Sequence, residues 1–351
     1  MNNSINSRQR LADKIKNGAV LLHSGSIVYR NNDTWYPFRQ DSNFYYLTEW
    51  PEPDAHAVIL IKNSEPELHL FVQDRNEEME TWEGKRLGQS GAVDEYDASK
   101  AYSFQDYEKI LPNLLRGFND IYCDYSSNNF EKHDKKILTH AVPYDQRGAD
   151  FSNATLHSLQ PLVSELRLIK SEGEIELLTK ACDITVEGHI HAMKTTNTGM
   201  YEYQVGAEME KIFYDRGAER LGYPSIVAGG HNACILHYST NRDQLDDGNL
   251  LLIDAAAEYG MYSSDVTRTF PVSGKFTSPQ KDVYEEVLRV QNEGVEGVVV
   301  GNSMKEVHQQ TIKTLSESLV NLKLVPLGVE ETISMMHFFE FFMHGTGHWL
   351  G

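Results

Sequence analysis

The sequence predicts a mixed α/β (α+β) protein of two domains, and three observations carry that expectation. The chain has 351 residues, more than a single hydrophobic core usually organises. Its first half alternates short β-branched runs with amphipathic stretches, the interleaving of an α/β layer structure. Its second half carries several strong helix-start signals between strand-like runs, which predicts helices packed about a sheet.

Taken in order, residues 56 to 62 (HAVILIK) and 67 to 73 (ELHLFVQ) read as paired strands, with Asn63 to Pro66 supplying the turn. Phe104 to Leu115 carries Tyr107, Ile110, Leu111, Leu114 and Leu115 at helical spacing, and Pro112 predicts a kink or a late start. Residues 119 to 124 read as another strand. A boundary is expected near 160 to 170, dividing an N-terminal domain (1–165) from a second domain (166–351). Ser171 and Glu174 then form a capping box that opens a long helix. Its stripe of Ile175, Leu178, Cys182, Val186, His189 and Met193 is expected to face a core. A further helix carries Val205, Met209, Ile212 and Phe213 and ends at Gly217; others start at Ser278-Pro279 and at the Ser303 to Glu306 box.

Composition excludes several classes. Lys plus Arg number 32 against 51 Asp plus Glu, a formal charge of −19, with 40% hydrophobic and 24% charged residues. Such a chain is too apolar for disorder, and no run approaches the ~18 apolar residues of a membrane span. The acidic surplus repels polyphosphate, so nucleic acid is not an expected partner. The amino terminus has no apolar run behind its basic residues, which predicts a cytoplasmic protein. Cys123, Cys182 and Cys234 are far apart and are expected to be small buried residues.

The most informative segment is LLLIDAAAEYGMYSSDVTRTFPVSG, residues 250 to 274. A two-residue turn centred on Tyr259-Gly260 would set Asp254 directly opposite Asp265. Opposed carboxylates on one sheet face, with Cβ atoms ~5 Å apart, destabilise the pairing unless something neutralises them. A shared proton, a base or a divalent cation could do so. Arg268 falls on the other face, which favours a cation. Two aspartates alone are also what an ordinary turn-flanking pair looks like. The terminal FFMHGTGHWLG adds His344 and His348, four apart among glycines, and together these residues point to a metal site.

With Asp254 and Asp265 in LLIDAAAEYGMYSSDVTRTFP, ILHY at 235 to 238 and HGTGHWLG at the end, the chain resembles the Xaa-Pro aminopeptidases (aminopeptidase P), metal-dependent peptidases of the pita-bread fold. NNDTWYPFRQDSNFYYLT and WEGKRLGQ extend the resemblance to an aminopeptidase P-like (creatinase-like) N-domain, so it covers essentially the whole chain. The resemblance implies Asp254 as ligand of one metal, Asp265 as the bridge between two, and His348 as ligand of the other, with manganese (two Mn2+ ions) the usual cofactor. It implies that His237 and His344 flank the metals and handle protons or developing charge. It also implies peptide substrates with proline second, and a homo-oligomer. Trp82 is read as an apolar rim residue or an ordinary core or interface tryptophan.

By the same resemblance, two glutamate ligands and a further histidine would follow Gly351. The 351 residues would then hold three of five expected ligands in an incomplete pita-bread domain with an open sheet edge, which leaves their activity without the remainder open. Two other readings stand beside the aminopeptidase. Prolidase cuts only Xaa-Pro dipeptides, and Trp349 and the FRQDS pattern look less like it. A catalytically dead pita-bread binding module is the alternative from another class.

Overall fold

The computed structural model describes residues 3–125, 130–135, 138 and 154–350. By internal packing the chain divides into two units, Met1–Ile175 and Glu176–Gly351. Among the described residues no helix is long and apolar enough to cross a membrane.

The first unit is built on a mixed six-stranded sheet. Its strands are β1 (Gly18–His23), β4 (His56–Lys62), β5 (Glu65–Val72), β6 (Lys100–Ser103), β7 (Asp120–Cys123) and β8 (Thr155–Ser158), in the order β6-β5-β4-β1-β7-β8; β2 (Tyr29–Asn31) and β3 (Thr34–Trp35) form a separate ribbon. The β4/β5 hairpin turns more tightly than expected. Asn63 and Ser64 alone make the turn, both with positive φ, and Glu65 and Pro66 already pair with Lys62 and Ile61. Phe104–Asp106 is a 3₁₀ turn leading into a helix, Tyr107–Leu114, that keeps Pro112 inside it. Of the three cysteines only Cys123 is buried. Trp82 is 83% exposed, so it is not a core residue.

One face of this sheet carries a buried polar chain that the sequence does not announce. Tyr107 donates to Asp134 Oδ1 at 2.7 Å, Asp134 Oδ2 meets His23 Nε2 at 2.8 Å, and His23 Nδ1 lies 2.6 Å from His56 Nδ1. Only one proton fits between the two Nδ1 atoms. If His23 donates from Nε2 alone, His56 donates from Nδ1, and each bond has one donor and one acceptor.

In the second unit, β10 (Ile226–Gly229), β11 (Leu250–Asp254) and β14 (Thr267–Pro271) form one antiparallel sheet, and β9 (Arg220–Leu221), β12 (Ala257–Tyr259) and β13 (Tyr262–Ser263) another. Helix α1, as we label Glu172–Thr195, starts at the expected box: Ser171 N donates to Glu174 at 2.8 Å. Helix α2 (Glu202–Asp215) buries Val205, Met209 and Phe213 against Val227, Leu251 and Ile253 of the sheet, each such side chain contributing ~2 kcal/mol of apolar burial. Gly217 follows α2 at φ +91°, as its position suggested. The helix Ser278–Glu296 is capped by Thr277 rather than Ser278, and the Ser303–Glu306 box opens Met304–Asn321.

The inward face of α1 differs from the expected stripe. Ile175, Val186 and Met193 are exposed, while Ala181, Ile184, Thr185, His189 and Ala192 are buried. Apolar residues occur on more than one side of this helix, so periodicity could not choose the face. Packing chose small residues: a Cβ on Gly188 would run into the Phe213 ring.

The His56 imidazole is pushed down to about 2, chiefly by burial and further by His23, His133 and Lys132. The unfolded chain therefore binds a proton near pH 6.5 that the folded chain refuses, and stability is complete above that pH and lost below it. Unfolding free energy is expected to fall by roughly 1 kcal/mol per pH unit between pH 6 and 4.5. Denaturant titrations across that range check it, and His56→Gln should flatten the slope.

Candidate active site

Asp254 ends β11, and Asp265 lies in the link between β13 and β14. The hairpin turn is Gly260-Met261, both at positive φ, with Tyr259 paired to Tyr262 and Glu258 to Ser263. Asp254 consequently pairs with Thr267 and not with Asp265, so the expected register is off by two residues. A slip of one would have sent the carboxylates to opposite faces. A slip of two leaves them on the same face as diagonal neighbours, because side chains alternate along a strand.

The carboxylates still meet, through a residue that spacing did not reveal. Tyr223 Oη lies 2.5 Å from Asp254 Oδ1 and 3.1 Å from Asp265 Oδ1. Burial, the hydrogen bond to Asp254 and the two negative charges raise its hydroxyl far above the usual range, so Tyr223 stays a neutral donor. It has one proton to give. The shorter contact takes it, and Asp265 Oδ1 is left facing an oxygen lone pair. Tyr223 precedes Pro224 just after β9, and no sequence motif ties it to carboxylates 31 and 42 positions away.

His348 Nε2 is 3.1 Å from Asp265 Oδ2, and its Nδ1 is 3.0 Å from the Trp349 carbonyl. A carbonyl oxygen can only accept, so Nδ1 carries a proton, and Nε2 faces a carboxylate to which the protonated ring would donate as well. The Trp349 carbonyl and then Asp265 raise its pKa accordingly. His344 is locked in the same tautomer by the Gly345 carbonyl at 2.8 Å and packs edge-on to Phe342, leaving Nε2 free. Asp254, Asp265 and His348 are thus brought together. His344 and His237 are exposed, and neither is hydrogen-bonded to the carboxylates.

Helix α1 supports this arrangement from behind. The Thr185 hydroxyl accepts from Ala257 N at 2.9 Å and meets Ser264 Oγ at 2.6 Å, while His189 Nε2 donates to the Ala255 carbonyl at 3.0 Å. These buried bonds hold the chain just after Asp254 and just before Asp265.

The donor set fits a divalent cation by its chemistry. Carboxylate oxygens with one imidazole suit manganese, cobalt or zinc, and a ligating histidine usually gives its other N–H to a carbonyl, as His348 does. Tyr223 has one proton for the two carboxylates, and His348 Nε2 faces the other oxygen of Asp265. Among the described residues, no three such groups already surround one point; the donors converge pairwise.

Comparison with known proteins agrees with this reading. Residues 176–351 match the model of metallopeptidase family M24, and residues 5–122 match the aminopeptidase P N-terminal domain. A Xaa-Pro aminopeptidase of Haemophilus influenzae is 41% identical over 337 residues, covering 95% of this chain and 75% of the relative. The chain belongs to the Xaa-Pro aminopeptidase family. The Pseudomonas aeruginosa aminopeptidase PepP superposes with a TM-score of 0.95 at 35% identity, over 100% of this chain and 80% of that one. A zinc-substituted aminopeptidase P of E. coli, solved in complex with product, superposes at 0.93 with 34% identity, over 99% and 80%. The aminopeptidase P N-domain is therefore followed by an M24 pita-bread domain, as the motifs implied. Membership in this hydrolase family implies a peptide substrate and a divalent metal cofactor.

Tyr223→Phe keeps the ring and removes the one proton between the carboxylates. In chelator at pH 7 the variant is expected to lose about 1 kcal/mol of unfolding free energy, Asp265 being partly solvated. Equal urea midpoints for variant and parent at pH 7 would contradict the shared-donor reading.

Proposed function

We propose that this chain releases the amino-terminal residue from peptides with proline in the second position, as a manganese-dependent Xaa-Pro aminopeptidase. The observation that carries the reading is the chain of contacts from Asp254 through Tyr223 to Asp265 and on to His348, in a chain 41% identical to a Xaa-Pro aminopeptidase.

Asp254, Asp265 and His348 would hold the metal. When bound, divalent cations supply a water activated near neutral pH and Lewis-acid polarisation of the scissile carbonyl. The chain's own residues do the rest. Asp265, which faces both Tyr223 and His348, is suited to share its two oxygens between sites. Tyr223 remains protonated and steadies Asp254. His344 is held as the Nδ1–H tautomer, so its Nε2 can take a proton from the attacking group and return it to the departing proline nitrogen. That nitrogen has no N–H in the peptide and becomes a secondary amine on cleavage, so the step needs a proton donor and no amide N–H acceptor in the site. Exposed His237 can donate to the substrate carbonyl as charge develops there. The same reading makes the protein a cytoplasmic homo-oligomer, with neither nucleic acid nor membrane as partner.

The test is hydrolysis of Ala-Pro-Ala beside the dipeptide Ala-Pro, with manganese content measured on the same preparation. Cleavage of the tripeptide, lost on chelation and lowered at least ~10²-fold by Asp265→Asn, is the expected outcome. Cleavage of the dipeptide alone would make the protein a prolidase. Absence of both manganese and turnover would favour a binding module that has the fold without the chemistry.

A further inference from the structure

Glu202, the first residue of α2, is fully buried and its carboxylate has four donors around it. Oε1 accepts from Gly229 N at 2.8 Å and from the Asn232 side-chain amide at 2.9 Å. Oε2 accepts from Tyr238 Oη at 2.7 Å and from Asp243 N at 3.0 Å. The Glu202 backbone N–H in turn donates to the Asp243 carbonyl at 3.0 Å. No cation is among these partners, and a charge so buried persists only when its lone pairs are filled this fully.

All four donors lie on one segment, 229 to 243, which contains ILHY. Within it Ile235 to Tyr238 form a turn closed by Tyr238 N donating to the Ile235 carbonyl at 3.3 Å. His237 occupies the third position of that turn and is exposed, while the next residue, Tyr238, is buried with its hydroxyl on Glu202. Gly229 and Asn232 fix the segment before the turn, and Tyr238 and Asp243 fix it after. The far end is also tied to β10, since Asn241 accepts from Val227 N at 3.0 Å and donates to the Ser225 carbonyl at 2.7 Å.

We propose that Glu202 is a positioning residue for His237: by bonding both flanks of the Ile235–Tyr238 turn it holds that imidazole where the reaction needs it, and Tyr238 transmits the constraint. The inference rests on the reading of His237 as a group that acts on the substrate. A carboxylate accepts from all four partners at once. A glutamine at 202, even with its NH2 turned toward the Tyr238 hydroxyl, which can accept, would oppose the Asp243 N–H and loosen that flank of the turn.

The test is steady-state kinetics on Ala-Pro-Ala with manganese, for His237→Ala, Tyr238→Phe, Glu202→Gln and the double variant His237→Ala with Tyr238→Phe. Tyr238→Phe preserves volume and three of the four bonds, so it reports even where Glu202→Gln folds poorly. His237→Ala should lower kcat ~10²-fold or more. Tyr238→Phe should lower it ~10-fold, with KM changed less than about twofold, since displacing a reacting group by a fraction of an ångström acts on the chemical step. In the His237→Ala background the Tyr238→Phe change should cost nothing further; a merely structural role would cost the same in both backgrounds. Additive losses, or Tyr238→Phe and Glu202→Gln at parental kcat while His237→Ala is impaired, would overturn the positioning role and leave the reading of His237 intact. Parental turnover by His237→Ala would overturn both.

Discussion

Two carboxylates share one hydroxyl proton, and much of the second unit is arranged around that shortage. Like charges brought onto one sheet face repel, and Tyr223 can satisfy only one of them at a time. His348 gives its Nδ1–H to the Trp349 carbonyl and turns Nε2 toward the second oxygen of Asp265. The protein holds this unfavourable grouping in place with buried bonds from Thr185 and His189 on either side of it. Such a concentration of electron-rich donors is costly for folding alone and useful to a metallopeptidase, whose chemistry supplies the missing positive charge.

Elsewhere the chain handles buried charge in the opposite way, by complete satisfaction. Glu202 is surrounded by four donors, two on each oxygen. It has nothing left over for a ligand. The contrast separates the candidate site from the structural carboxylates without reference to any relative: a carboxylate with filled lone pairs organises backbone, and one with unfilled lone pairs is available for chemistry.

Local signals were legible wherever they act over a few residues. The capping boxes at Ser171 and Ser303, the glycine ending α2 and the β4 strand stand where the residues predicted. The motifs around Asp254, Asp265 and His348 were likewise readable, and the family followed from them. The departures occur where two local solutions are nearly equal. Turn residues at Tyr259-Gly260 and Gly260-Met261 are both acceptable, and only the pairing of β11 with β14 selects the second. The face of α1 was ambiguous for the same reason, since apolar residues lie on more than one side of it.

By itself, the sequence determined the fold class and the family, because these follow from residue type, from local periodicity and from motifs read along the chain. Only the tertiary structure decided the register, the part played by Tyr223 and the anchoring of the His237 turn by Glu202. Each of these is a contact between residues dozens of positions apart, chosen by packing and by the need to pair every buried polar atom, and a one-dimensional pattern carries no record of either.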